Sequence, residues 1–564
     1  MNKLPRGAAE AAAALIAEHK TLRAAAAAAG LSYGAMHKRY RRAVEMGFMQ
    51  PLVPAAEQAR RKPARAKLAK EAPEAEPVVH GRVRAPQPAQ RPLPPEGEIS
   101  RYIVTCAQNN TRLFDAAWRS LLTVAEHYGA EIMVSRFTYD KATYLRGSTE
   151  KPSRDVPEAD GLWYDERLEP YICDERVRLA PGLVFCGELN ILPTAVRPLS
   201  GLETYTGRDS SIIPHVKLAM ESVASGKFEA TKFVYSTGAV TQRNYIQRKA
   251  GQKAEFHHCY GALLVEIDST GAWWVRQLNA DSEGVIYDLD MKFVGDWCGP
   301  NHPVEAISWG DIHVGQMDWA NSEACWGDGG MTQVLRPHYQ FLHDVLDFRA
   351  RNHHERGNPH KAFERHVKGD GDVRSEVERV AEFIKLVSRC AGFTVVVDSN
   401  HDNAMMRWLR EADYRWDPLN AVYFLECQLA VYGAIRGGDR RFHLVEWATG
   451  LGGRDNIGFL RQDESFVICR DAGGGIECGM HGHLGPNGRR GSANAFAKMG
   501  RKAVVGHSHS AGIVDGIYTA GTSSNLDLGY NAGPSSWSHS HVITYANGKR
   551  CIATVWKGKW RAAA

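Results

Sequence analysis

Four short segments in the C-terminal half of the chain share one pattern, an apolar run that ends in Asp, Asn or His. In PVEAISWGDIHVG, apolar Val304, Ala306 and Ile307 lead through Gly310 to Asp311 and His313. FLHDVLDF supplies Asp344 and Asp347. FTVVVDSNHDN predicts a strand over 393–397 with Ser399, Asn400, His401 and Asp402 at its mouth. The fourth is a pair, IECGMHGHLGPNG with His481 and His483, then KAVVGHSHSAG with His507 and His509. Residues i and i+2 of a strand point the same way, so Asp311 and His313 are expected to grip one metal from a strand end. Carboxylate, amide oxygen and imidazole together suit divalent Mn, Fe, Zn or Mg, and a set without cysteine ligands is no structural zinc cage. Glycines at 310, 482 and 506 permit tight turns beside the ligands.

Taken singly, each segment is weak: D-x-H or H-x-H arises often by chance. The order is specific. D-x-H, D-x-x-D, N-H-D, H and G-H-x-H in succession resemble the calcineurin-like metallophosphoesterase superfamily, over about residues 300–550. The resemblance implies that Asp311, His313 and His509 hold a first metal and that Asp344 bridges two. It implies that Asn400, His481 and His507 hold the second, and that His401 protonates the leaving group, with Asp402 beside it as a further catalytic candidate. Two positions depart from the family: its usual glycines are replaced by His343 and Ser399, which puts loop geometry in question more than ligand chemistry. His483 is a lesser ligand candidate. The pairs His353-His354 and His539-x-His541 match no motif and are expected at the surface or behind the ligands.

The implied chemistry is two-metal phosphoester hydrolysis, with a bridging hydroxide nucleophile and His401 as general acid. Arg349, Arg351, Arg489 and Arg490 flank ligand segments and are candidates to hold the substrate's phosphates, with solvated loop charge the equal alternative. Imidazole-rich sites favour Mn over Mg, so Mn is the expected metal. No nucleotide cofactor is expected.

These segments need a scaffold. The expected one is an α/β fold: a calcineurin-like β-sandwich flanked by helices over 301–564, a mixed α/β accessory domain over 99–300, and a small all-α N-terminus over 1–50. In the N-terminus, residues 8–18 read as a helix. Thr21 caps a second, Leu22–Ala29, that stops at Gly30, and Ser32 caps a third. The run resembles a helix-turn-helix, with Lys38, Arg39, Arg41 and Arg42 on the helix that would read DNA. A packing module is the plainer alternative. Residues 51–98 are rich in Pro, Ala, Arg and Lys and read as a flexible linker. In 99–300, YIVTCAQ and AEIMVSRFTY predict strands around an amphipathic helix ending at Gly129, and GALLVEIDSTGAWWVRQL predicts a hairpin. Asn109, Asn110, Arg208, Arg243, Arg248 and Lys249 are polar residues there that would suit phosphate contacts, though most such residues are surface decoration.

Bulk composition sets the remaining bounds. Hydrophobic residues make up 44% and charged residues 24% of 564, the balance of an ordinary globular protein. Residues 1–98 hold 17 Lys and Arg against 9 Asp and Glu, so the basic excess is N-terminal and points to a polyanionic partner. Eleven dispersed cysteines without a CxxC pair predict free thiols in a reducing cytoplasm. No transmembrane segment is expected. The layout is also similar to the pre-early DNA-transfer proteins of certain tailed bacteriophages. That similarity implies a metal-dependent DNase in the cytoplasm of the infected bacterium, acting in DNA transfer or host DNA degradation, and a homo-oligomer. A phosphatase or cyclic-nucleotide phosphodiesterase with a regulatory N-terminus, or a non-catalytic DNA-binding scaffold, are the alternatives.

Overall fold

The structure, a computed structural model, describes residues 6–49, 88–139, 162–352 and 358–562. It parts into two units, Met1–Val83 and Arg84–Ala564. In the first, helices span Arg6–His19, Leu22–Ala28 and Tyr33–Glu45. Both expected caps form: Thr21 Oγ1 accepts from Ala24 N and Ser32 Oγ from Ala35 N, each at 3.2 Å. Each such cap contributes about 1 kcal/mol. Ala12, Ala25 and Ala26 let the helices approach, while Ile16 and Met36 fill the space between them. Lys38 and Arg41 are exposed and Arg39 is half-buried. Arg42 pairs with Glu45 at 3.2 Å. Most of the expected linker, 51–87, lies outside the described residues. Its last part is no linker. Ala89–Gln90 pairs in parallel with the strand Arg176–Ala180, and Arg91 pairs with Glu131, so the folded body starts ahead of Glu98.

The second unit opens as the sequence predicts. Ile99–Gln108 and Glu131–Phe137 are parallel neighbours joined by the helix Asp115–Tyr128, which ends on left-handed Gly129. The hairpin Gly261–Asp268 and Trp273–Asn279 completes this four-stranded sheet. Asp268 Oδ1 accepts from Thr270 N and Ala272 N to shape its turn.

Two larger sheets carry the rest. A six-stranded sheet sets the parallel strands Ala306–Ser308, Tyr339–Leu342, Phe393–Val396 and Ile457–Phe459 beside the antiparallel pair Ser540–Thr544 and Arg550–Thr554. Alternate residues face opposite ways. Ala306, Phe341, Val395, Val542 and Ile552 share a core with Ile476, Val504, Ile513 and Tyr518 of an eleven-stranded sheet. Their neighbours Ile307, Leu342, Val396 and Ile543 bury against helices, including Val373–Val387 and Asp402–Glu411. Each such side chain contributes about 1.5–3 kcal/mol of transfer free energy. The result is a mixed α/β body in which two sheets enclose one core and helices cover the outer face of one sheet.

The eleven-stranded sheet also overturns the expected boundary at residue 300. It combines strands between Ala89 and Ser236 with strands between Val467 and Thr519, joined where Met220 pairs with Ile513. Residues 99–300 therefore do not stand as a domain apart from 301–564. The eleven cysteines are all free, and no helix of the described residues is long and apolar enough to cross a membrane.

Candidate metal centre

Strand register brings the acidic segments together. Ser308 pairs with Phe341 and Phe341 with Val395, so three parallel strands end side by side. Just beyond them come Asp311, Asp344 and Asn400. In the other sheet Ile476–Glu477 runs parallel to Lys502–Val505, and the chain beyond these strands carries His481, His507 and His509. Ends of parallel strands are where open α/β sheets place their sites.

The expectation that Asp311 and His313 alternate along a strand is wrong. The strand stops at Ser308, and His313 has φ 49°, left-handed. Asp344 (47°), His507 (70°) and His509 (55°) are left-handed too. Each costs about 1–3 kcal/mol and persists because its surroundings hold it. Asp311 N donates to Gly521 O at 3.1 Å, Ile312 N to His343 O at 2.9 Å and His313 N to Asp344 O at 2.8 Å. His541 is buried behind this loop and accepts from Gly310 N at 3.0 Å, a positioning role its spacing did not reveal. Gly506 is required for space: a Cβ there would lie 2.2 Å from Asp311 Oδ1.

The side chains converge. Ligand atoms of Asp311, His313, Asp344 and His509 all lie within 4.8 Å of one another, as do those of Asp311, His343 and His481, and those of His313, Asp347 and His401. His509 Nε2 stands 3.1 Å from Asp311 Oδ2 and 3.2 Å from His313 Nε2. Asp344 Oδ2 stands 3.2 Å from His481 Nε2 and 3.7 Å from His313 Nε2. Without an ion, His313 and His509 can share one hydrogen at this distance; with one, both nitrogens can turn their lone pairs to it. Such spacings match neighbouring ligands around an ion held by bonds of about 2.0–2.2 Å. Both Asp311 oxygens, Asp344 Oδ1, Asn400 Oδ1 and His481 Nε2 are buried without a well-formed hydrogen bond. Orphaned buried acceptors of this kind cost free energy that a cation would recover.

The electrostatics agree. Burial opposes the charge of Asp311, yet His481 and His509 hold its carboxyl at about 2. Burial likewise resists charge on His313 and His481, but Asp347 beside the first and Asp344 and Asp311 beside the second raise both to about 9. Two imidazolium protons thus stand where a divalent cation would balance the same carboxylates. On the other side burial and His481 depress His507 to about 4, leaving a neutral imidazole fit to be a ligand.

The remaining candidates divide. His401 Nδ1 lies 3.0 Å from the Asp347 carbonyl oxygen, so Nδ1 carries hydrogen and Nε2 is left for another partner. Its ring stands edge-on to His313 at 4.7 Å. Asp402 is buried, and burial together with Asp398 and Asp344 pushes its carboxyl well above the usual range. His507 packs against the rings of His481 at 5.3 Å and His483 at 6.0 Å. Arg349 lies near enough to help depress Asp347. Arg351 is ion-paired to Asp417. Arg489 and Arg490 are exposed on the loop after His483. Asn109 is spent on structure, accepting from Tyr139 N at 2.6 Å. Arg243 covers the Tyr260 ring at 5.3 Å, and Arg208 reaches Glu229 at 3.0 Å. His353 and His354 lie outside the described residues.

Sequence reasoning missed the part played by four residues. The D-x-x-D spacing singles out Asp347 without a role; the structure sets its carboxylate 3.2 Å from His313 Nδ1 and 3.5 Å from His401 Nδ1, where it orients both rings. His343, read only as a missing glycine, lies 3.4 Å from His481. Arg407 and Arg410 line an open groove of 590 Å³ together with Asn400 and His483. Their signal was present: i and i+3 on the helix that starts at Asp402 share a face.

Among known proteins, Protein A1 of Escherichia phage T5 is 40% identical over 475 residues, covering 82% of this chain and 83% of that protein. The chain belongs to the Protein A1 family. No family model and no solved structure matches this A1-family chain. Of the expectations above, similarity to a phage protein and a buried His/Asp cluster able to hold metal therefore stand on observation.

Proposed function

We propose that this A1-family chain is a metal-dependent phosphodiesterase that cleaves DNA, with a centre of the calcineurin-like type. One arrangement carries the reading. Asp344 Oδ2 is shared between His313 on one side and His481 on the other, so a single carboxylate stands between two sets of donors. Asp311, His313 and His509 would hold one divalent ion, and Asn400, His481 and His507 a second. When bound, such ions supply Lewis acidity and neutralise phosphate charge. The imidazole content favours Mn, with Fe, Zn or Mg also compatible.

The chain's own groups supply the rest. His401, hydrogen-bonded through Nδ1, presents Nε2 to protonate a departing oxygen. Asp347 fixes the His313 and His401 rings. Arg407 and Arg410 on the groove beside Asn400 attract an anionic backbone. The basic face of the third N-terminal helix, with Lys38, Arg39, Arg41 and Arg42, serves as a separate DNA anchor. The setting is the host cytoplasm, and the working form a homo-oligomer. Incubating the protein with Mn and linear, circular or single-stranded DNA, beside a simple phosphomonoester, tests the reading. Cleavage of DNA with little phosphomonoester turnover is expected. Hydrolysis of the monoester alone would make the chain a phosphatase.

A further inference from the structure

A second groove, of 620 Å³, opens on the other flank of the centre. Its lining is unusual for a solvent-facing surface. Phe228 is 99% exposed at its rim, Trp556 is 36% exposed, and Trp273 and Trp537 complete an aromatic set. Arg208, Lys227 and Lys557 stand among them. Lys557 lies over the Trp556 ring at 5.7 Å. Lys227 and Arg208 hold only rim acids, Asp527 at 2.8 Å and Glu229 at 3.0 Å, contacts that phosphates can replace. Phe228 does not stand singly: with Trp273, Trp537 and Trp556 it forms one aromatic patch rimmed by charge, the kind of surface that marks an interaction site.

The groove is tied to the centre by one residue. Trp537 lines it and also packs edge-on against the ligand His509, ring centroids 4.2 Å apart. Tyr530 stands 5.8 Å from Trp537 on the same side. Aromatic faces thus run from the rim of the groove to the metal ligands, with cations interleaved.

We propose that this groove binds a single strand of DNA, its bases stacked on Phe228, Trp556 and Trp537 and its phosphates held by Arg208, Lys227 and Lys557, and so delivers an unpaired strand to the centre. Alternating stacking surfaces and cations recognise unpaired nucleotides of any sequence, whereas bases of a duplex keep their faces covered by their neighbours. The inference rests on the phosphodiesterase reading for its purpose, but not for its measurement.

The test uses the full-length protein with Phe228→Ala, Trp556→Ala and their double variant. Neither residue is among the metal-holding candidates, and Phe228, 99% exposed, has almost no packing to lose. Anisotropy of a labelled phosphorothioate single strand and of the matching duplex gives affinity; bis(p-nitrophenyl) phosphate hydrolysis gives the chemistry; sedimentation gives the assembly state. Each variant is expected to bind the single strand about ten-fold more weakly, with smaller loss on the duplex and unchanged diester hydrolysis and sedimentation. Unaltered single-strand affinity overturns the proposal. So does a changed assembly state with unaltered affinity, which makes the aromatic rim a contact between chains. A wild-type protein that hydrolyses no diester refutes the phosphodiesterase reading, while the affinities still decide the groove.

Discussion

On one side of Asp344, the residues Asp311, His313 and His509 are sealed from solvent, and Asp347 reaches His313 from behind at 3.2 Å. On the other side His481 is buried as well, but Asn400 and His507 are half-buried and Asn400 borders the groove of Arg407 and Arg410. On the sealed side the Asp347 carboxylate fixes the His313 ring; the open side has room for something to enter. The two halves of one cluster thus differ in how far their ligands are enclosed. A site that must bind metal firmly and still admit a bulky polyanion has reason to be built this way.

The largest effect should come from the residue that belongs to both halves. Asp344→Asn removes charge at the shared position, and metal content and cleavage should fall together, by at least about 10²-fold in rate. Normal metal content in this variant, read by elemental analysis, would mean that Asp344 joins nothing.

His401 separates chemistry from metal binding. His401→Gln should keep metal content near normal yet slow cleavage by about 10²–10⁴-fold. The loss should shrink on a nitrophenyl ester, whose leaving group departs without a proton. If His401→Gln loses metal as Asp344→Asn does, it acts as a ligand with His313 and Asp347, and the proton donor must be sought elsewhere.

Asp347→Asn addresses the sealed side alone. It should weaken one class of metal site by about 10–100-fold while leaving the other unchanged. Titration with Mn, followed calorimetrically, would show two classes separating in affinity; a uniform shift of both would erase the distinction between the sides.

These residues also show what sequence could and could not reveal. Thr21, Ser32, Gly30 and Gly129 announce their helix ends because a cap needs only its own neighbours. The order from Asp311 to His509 is legible because each ligand type sits just past an apolar run. The left-handed turns at His313 and Asp344 are not, since neither is Gly or Asn. Nor is the pairing of Met220 with Ile513, which merges 99–300 with the rest: strand register across so many residues leaves no local period. Arg351 looked free because its partner, Asp417, is distant in sequence.

A smaller effect lies behind the sealed side. Glu376 accepts from Arg349 N at 2.8 Å and Ala350 N at 2.9 Å, just past Asp347. Burial outweighs these bonds and pushes its carboxyl up to about 7. The native state therefore binds more protons than the unfolded state between the ordinary carboxylate range and pH 7, and stability falls as pH rises through that window, by about 3 kcal/mol at most. Glu376→Gln should flatten this contribution. The test is the difference in denaturant midpoint between wild type and variant at pH 5 and pH 7.5; an equal difference at both would show that Glu376 does not titrate there.

The central claim is that two ions held about Asp344 drive DNA cleavage. Chelated protein, dialysed and titrated with Mn, should go from no cleavage to full cleavage as occupancy rises to two ions per chain, measured by elemental analysis on the same samples. DNA cleavage that persists in the stripped protein, or a protein loaded with two ions that cuts no DNA, would contradict it.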